Sequence, residues 1–114
     1  MPAPSVQRKS DLLAGTLEML ILRALTLGSF HGYAISQHIA RISDSVLRVE
    51  QGSLYPALER LLKKGWVTAR WALSPTGRRA RYYTITRSGR VQLDVKVEDY
   101  ERVARAIHRV LTRA

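Results

Sequence analysis

Arg78, Arg79 and Arg81 place three guanidinium groups within four residues. Crowded guanidiniums are unfavourable in water unless an anion neutralises them, and their fork of N–H donors suits phosphate. The surroundings deepen the charge. Between Arg60 and Leu93 the chain carries nine cations and no carboxylate, and its net charge is +10 over 114 residues. Such an excess points to a polyanionic partner, nucleic acid ahead of a membrane surface. The other residue types capable of chemistry do not assemble into sites. His31, His38 and His108 lack metal-ligand spacing, cysteine is absent, and Ser53 has no base in a recognisable motif. No phosphate-binding glycine loop is present either. No enzymatic activity, metal or cofactor is expected, and His31 before Gly32-Tyr33 reads as a polar residue opening a helix.

The elements that must carry these cations follow from periodicity. Hydrophobic residues make up 46% of the chain, enough for one folded domain of this length. Residues 1–10 are rich in proline and polar residues and read as a flexible arm. Leu17, Leu20, Ile21, Ala24 and Leu25 mark a helix over roughly Asp11–Leu27, ended by Gly28. Ile35, Ile39 and Ile42 mark a second, closed by Ser43-Asp44-Ser45. Leu54, Leu58, Leu61 and Leu62 mark a third, from near Gly52 to Gly65, with Pro56 fixing its start. The period then shortens to two. Val67, Ala69, Trp71 and Leu73 alternate inward, Ser74-Pro75-Thr76-Gly77 turns, and Ala80–Ile85 returns. Thr86 or Ser88 caps a last helix of about Gly89–Leu111. The expected architecture is mainly α with a small β-hairpin: a winged helix-turn-helix over 11–86 and a long C-terminal dimerisation helix over 87–114.

The third helix is the candidate reader of an anionic groove. At 100° per residue its leucines cluster on one side, while Gly52, Pro56, Glu59, Arg60 and Lys63 face the other and Ser53 and Tyr55 flank them. Small residues at its start permit close approach, and cations further along reach phosphates. Glu59 repels phosphate but can accept from a cytosine amino group. On the returning strand Tyr83, in phase with Ile85, is expected in the core and Tyr82 towards the nucleic-acid backbone.

Gly15-Thr16-Leu17, Leu20-Ile21-Leu22 and His31-Gly32-Tyr33-Ala34-Ile35 resemble the opening of PadR-type transcriptional regulators. Gly52-Ser53-Leu54-Tyr55-Pro56-Ala57-Leu58, Gly65-Trp66-Val67 and Arg81-Tyr82-Tyr83-Thr84-Ile85-Thr86 continue the likeness in order, so that it spans about residues 11–111. The resemblance implies a dimeric repressor on palindromic operator DNA, with the third helix in the major groove and the Arg-rich hairpin on the flanking backbone or minor groove, whose narrow stretches attract arginines. It also implies that Tyr33, Ser53 and Tyr55 fix the phosphate register and that Arg79 and Arg81 occupy the wing. Taken with the projection, the candidate DNA contacts are Tyr33, Gln51, Gly52, Ser53, Tyr55, Pro56, Glu59, Arg60, Lys63, Lys64, Arg78, Arg79, Arg81 and Tyr82. Relatives that take up flat aromatic drugs supply tryptophan on the C-terminal helix; this one offers only Tyr100, and a small-molecule inducer has no identity here.

Dimerisation is expected from the last helix independently. Leu93, Val97, Tyr100, Ala104, Ile107 and Leu111 follow spacings of 4, 3, 4, 3 and 4, a seam of coiled-coil type. Two alternatives stay open, a winged-helix protein adaptor and a basic RNA-binding protein. The opening residues lack an export signal, and the most apolar stretch, Leu12–Leu27, is too short to span a bilayer and carries Glu18 and Arg23. A cytoplasmic protein without a membrane partner is expected.

Overall fold

The computed structural model describes residues 11–113, and its centre is a helix with core on almost every side. That helix, α1 (Asp11–Leu25), buries Leu17, Met19, Ile21, Leu22, Ala24 and Leu25. The expected stripe is one face of it. Three further helices and a strand pack around it, so the other faces are covered as well. The helix stops two residues before the expected Leu27. The N–H groups of Thr26 and Leu27 bond to the Arg23 and Ala24 carbonyls, a tighter last turn, and Gly28 follows at φ +151°. The proposed arm over 1–10 lies outside the described residues.

A strand of two residues, β1 (Phe30–His31), leads into α2 (Gly32–Ile42). Too short to show a period, β1 was not expected; it joins the hairpin as a third strand. His31 opens α2 as the sequence suggested, its Nδ1 accepting from the Ala34 N–H at 3.2 Å. Ile35 and Ile39 are buried, but Ile42 is 67% exposed, because the helix passes the edge of the core before its third apolar position. Asp44 and Ser45, at φ 52° and 64°, then reverse the chain through two left-handed residues, with the Ser45 N–H closing on the Ala40 carbonyl.

The next helix, α3 (Gln51–Lys64), buries Leu54, Ala57, Leu58 and Leu61. It begins at Gln51, so Pro56 lies in its second turn and does not fix its start. The hydrogen bond that Pro56 cannot donate would go to Gly52, an exposed residue. Gly65, at φ 77°, ends α3, and the Gly65 and Trp66 N–H groups bond back to the Leu62 and Leu61 carbonyls.

The hairpin comprises β2 (Val67–Leu73) and β3 (Arg79–Ile85), and the antiparallel sheet runs β1-β3-β2. Val67 pairs with Ile85 and Ala69 with Tyr83 on the core face, and Val67, Tyr83 and Ile85 are buried. The inward alternation expected through Leu73 fails beyond Ala69, where the strand outruns the core and Trp71 and Leu73 become exposed.

The last helix, α4 (Arg87–Arg113), is tied to the end of α3. Thr86 Oγ1 accepts from the Gly89 N–H at 3.0 Å and donates to the Gly65 carbonyl at 2.8 Å, while Ser88 Oγ donates to the same carbonyl. Thr86 is therefore the cap, and Ser88 is already helical. Leu93 enters the core and Val97 packs at its margin, so the first turns of α4 belong to the body of the protein. Beyond them Tyr100, Val103, Ile107, Val110 and Leu111 are exposed.

Gly89 lies so close to the base of the hairpin that a Cβ there would overlap the carbonyl oxygen of Trp66, just before β2, and crowd Ile85 at the end of β3. Because the obstacle is backbone, Gly89→Ala is expected to destabilise the fold by about 1–3 kcal/mol. A lower urea midpoint with an unchanged slope would register the loss; an unchanged midpoint would show that α4 docks more loosely.

Candidate nucleic-acid interface

The outer face of α3 is a row of exposed residues at helical spacing, Gly52, Pro56, Glu59 and Lys63, with Gln51 exposed at its start and Ser53 half-buried beside it. A Cβ at Gly52 would meet nothing within 4 Å, so no contact inside the protein demands this glycine.

Two positions projected near this row have another job. Arg60 Nε donates to Glu18 Oε2 at 2.7 Å and Lys64 Nζ to Glu18 Oε1 at 2.9 Å, which fastens both side chains to α1. Arg60 is exposed as the projection placed it, but this pairing ties its guanidinium back to α1, and Lys64 is further drawn over the Trp66 ring at 4.6 Å. Glu18 itself is only 4% exposed. Burial pushes its carboxyl pKa up, but the hydrogen bonds and charges of Arg60 and Lys64 outweigh burial and hold it below the usual value. Sequence reasoning noted Glu18 only as a charge that argues against a membrane span. A carboxylate within the most apolar helix was the available signal that a cation must meet it.

The two motif blocks that carried the family resemblance meet in space. Tyr55, 42% exposed on α3, lies over Gly32 at the start of α2, where a Cβ would come within 2.8 Å of its hydroxyl oxygen. Tyr33, the next residue, is 61% exposed. A side chain at 32 would have to push the Tyr55 ring aside.

The wing stands beside α3. Arg81 Nη1 donates to Glu59 Oε2 at 3.2 Å, and its guanidinium lies 5.8 Å from the Tyr83 ring. Burial is the main cause of a raised Tyr83 hydroxyl pKa; Arg81 opposes it. Glu59, expected to be free for a base edge, is here the partner of Arg81. Tyr82 points to the opposite face from Tyr83, as expected, and packs edge-on against His31 with ring centroids 5.3 Å apart. Arg79 lies over Trp71, Arg78 is exposed at the turn, and neither they nor Lys63 have an ion-pair partner among the described residues. No group of residues able to hold a metal ion occurs among the described residues, and no described helix is long and apolar enough to cross a membrane.

Three helices, with a turn between the second and third, and an arginine-bearing hairpin against the third define a winged helix-turn-helix. The model of the PadR-like transcriptional regulator family matches residues 21–95. The chain belongs to that family, whose members are DNA-binding transcriptional regulators and not enzymes. It is similar to a transcriptional regulator structure from Clostridium thermocellum, with 31% identity, a TM-score of 0.80, and coverage of 88% of this chain and 97% of that one. A PadR-like regulator structure from Bacillus cereus is 28% identical, with a TM-score of 0.75 and coverage of 90% and 98%. Among curated relatives, a Lysinibacillus sphaericus protein of unassigned role is 30% identical over 87% of this chain and 91% of its own. The negative transcriptional regulator PadR of Bacillus subtilis is 29% identical over 68% of this chain, and the match spans 42% of that protein.

A carboxylate with a lowered folded-state pKa contributes stability above its unfolded pKa and loses it as pH falls through the folded value. Stability owed to Glu18 is therefore complete at neutral pH and disappears below the usual carboxylate range of about 4. Glu18→Gln should cost about 1–3 kcal/mol at pH 7, since two charge-assisted hydrogen bonds go and a half-exposed Arg60 and Lys64 can rehydrate. Urea titrations of the two proteins should converge in acid; parallel curves would remove Glu18 from the pH dependence.

Proposed function

We propose that the chain is a cytoplasmic repressor that binds palindromic operator DNA as a homodimer. The observation that carries this reading is the exposed row Gly52, Pro56, Glu59 and Lys63 with an arginine-bearing wing beside it. The row enters the major groove: glycine and proline let the helix approach, Lys63 reaches phosphate, and Glu59 exchanges Arg81 for a base edge. Tyr33 beside Gly32 at the start of α2, with Ser53 and Tyr55 on α3, sets the register on the backbone. Arg78, Arg79 and Arg81 take flanking phosphates. Arg60 and Lys64 hold the reading helix to α1 and contribute to the field rather than to direct contacts. A-form RNA closes its major groove to a helix, so duplex DNA is the fitting partner. Repression is in keeping with the name of the Bacillus subtilis relative.

The dimer rests on α4. Leu93 and Val97, members of the expected seam, are spent on the protein's own core. The remainder, Tyr100, Ala104, Ile107 and Leu111, is joined by exposed Val103 and Val110 in a stripe about 120° wide. Charge along α4 is uneven: the stretch up to Glu101 mixes Asp94, Glu98, Asp99 and Glu101 with Arg87, Arg90 and Lys96 and is close to neutral, whereas Arg102, Arg105, Arg109 and Arg113 follow with no carboxylate. Antiparallel pairing with a second copy sets each cationic half against the half that holds the other copy's α4 carboxylates and keeps the two cationic halves apart. It also lays the apolar stripe along the groove lined by Arg23, Leu93, Asp94, Val97, Glu98 and Glu101. Two reading helices then address half-sites one helical turn apart, about 34–36 Å.

Footprinting on the DNA upstream of the protein's own gene tests the reading; protection of an inverted repeat is expected, and protection of none would overturn it. With Lys63, Arg78, Arg79 and Arg81 presented twice, roughly 6–10 phosphate contacts form, and affinity for that duplex should fall about 10³–10⁵-fold between 50 and 200 mM salt. A flat salt response in a fluorescence-anisotropy titration would mean that another surface binds. Ile107→Glu with Leu111→Glu, both outside the core, should leave the circular-dichroism spectrum intact, give monomers in sedimentation and weaken operator binding by about 10²-fold or more. Persistence of the dimer would place the subunit contact elsewhere.

A further inference from the structure

The core face of the hairpin continues past the core. Beyond the Ala69–Tyr83 pair come Trp71 opposite Arg81 and Leu73 opposite Arg79. Trp71 is 59% exposed and Leu73 68%, so the core holds neither in place, and adjacent exposed apolar side chains at a hairpin tip invite association. Arg79 lies over the indole, its guanidinium carbon 5.4 Å from the ring centroid. Arg81 reaches from this same face to Glu59, which sets the face on the side of the molecule that carries the α3 row. Whatever meets that row meets Trp71 as well.

The chemistry of the patch narrows the partner. From Val67 to Ile85 the hairpin has Arg70, Arg78, Arg79 and Arg81 and no carboxylate. Apolar groups set among guanidiniums of which only Arg81 has an ion-pair partner among the described residues suit a surface that alternates anionic and apolar groups at close spacing. A duplex is such a surface, with phosphates at the groove edges and deoxyribose and base edges between them. A second copy of this chain would bring its own arginines to the contact.

We propose that Trp71, supported by Leu73, is the side chain with which the wing reads minor-groove shape beside each half-site. The proposal rests on the DNA-binding reading above and adds to it a determinant of flanking sequence. The indole seats against the sugar edges, and Arg79, held on the ring, reaches the adjoining phosphate. An indole with a guanidinium stacked on it is too thick for the narrow, stiff groove of an A-tract. Flanks with flexible pyrimidine–purine steps, which open at low cost, are therefore bound better.

The test uses the full chain and a short duplex recovered by selection from a random pool, built once with pyrimidine–purine flanks and once with A-tract flanks. The fluorescence difference between wild type and Trp71→Phe isolates Trp71 without touching the core. That component should be quenched and shielded from acrylamide when the duplex saturates. Trp71→Ala should weaken binding to the flexible-flank duplex about tenfold, the size of one aromatic contact, and level the preference between flanks. Arg79→Gln should weaken both duplexes alike. An indole that stays open to acrylamide in the saturated complex would overturn the proposal, as would wild-type affinity and preference in Trp71→Ala. Loss of the dimer in Trp71→Ala without DNA would overturn it in favour of a copy-to-copy contact. A wild type that selects no duplex would overturn the DNA-binding reading itself, a result distinct from the others.

Discussion

A buried carboxylate in the central helix sets the terms for the rest of the molecule. Ionised Glu18 cannot remain in the interior without cationic hydrogen-bond donors, and α3 supplies two, Arg60 and Lys64, one turn apart. Dispersion and apolar burial hold α3 against α1 but resist sliding and rotation only weakly, since leucines repack at modest cost. Two directional bonds to one carboxylate fix rotation as well as distance. The face of α3 that turns outward is therefore decided inside the protein, by a residue that never reaches the surface.

Close approach at two glycines completes the frame. At Gly32 the Tyr55 ring replaces a side chain and joins α2 to α3; at Gly89 the Trp66 carbonyl does so and joins α4 to the hairpin. The second is the stiffer contact, because its obstacle is backbone, whereas the first meets the outer end of a side chain. The reading helix is thus held from α1 by charge, from α2 by an aromatic ring and from α4 through the Gly65 carbonyl. The wing, by contrast, meets α3 through an exposed Arg81–Glu59 pair, a contact worth little in water and easily exchanged for phosphate. Rigid helices beside an adjustable hairpin is the division of labour the contacts impose.

Much of this was legible in the sequence because strong periods leave clear marks. The four helices, the two long strands, the His31 cap and the opposed Tyr82 and Tyr83 follow from spacing and turn chemistry alone. What escaped has common causes. A strand of two residues has no period, so β1 was invisible. Amphipathic projection treats each helix as if it had one core side, so it missed the all-round burial of α1 and the tie from exposed Arg60 back to Glu18. A period, of two in a strand or 3.6 in a helix, says which face a residue occupies but not where the core ends, hence the misplacement of Trp71 and Leu73 on β2 and of Ile42 on α2. Pro56 was read as a helix start because the rule against interior proline is strong; an exposed Gly52 carbonyl relaxes it. In the candidate site, Glu59 and Arg81 were each identified but not as partners, since 22 residues separate them in the chain.

The bond network at the junction of α3 and α4 makes the last helix a lever. Its 27 residues extend about 40 Å, and its near end shares the Gly65 carbonyl with the end of the reading helix. A tilt of about 5° at that hinge displaces the far tip by about 3.5 Å on a rod of this length. The ratio works in both directions. A grip on the distal turns fixes the angle of the reading helix with a long mechanical advantage, so small strains at the hinge are resisted by contacts formed tens of ångströms away. Length in α4 is stiffness at α3.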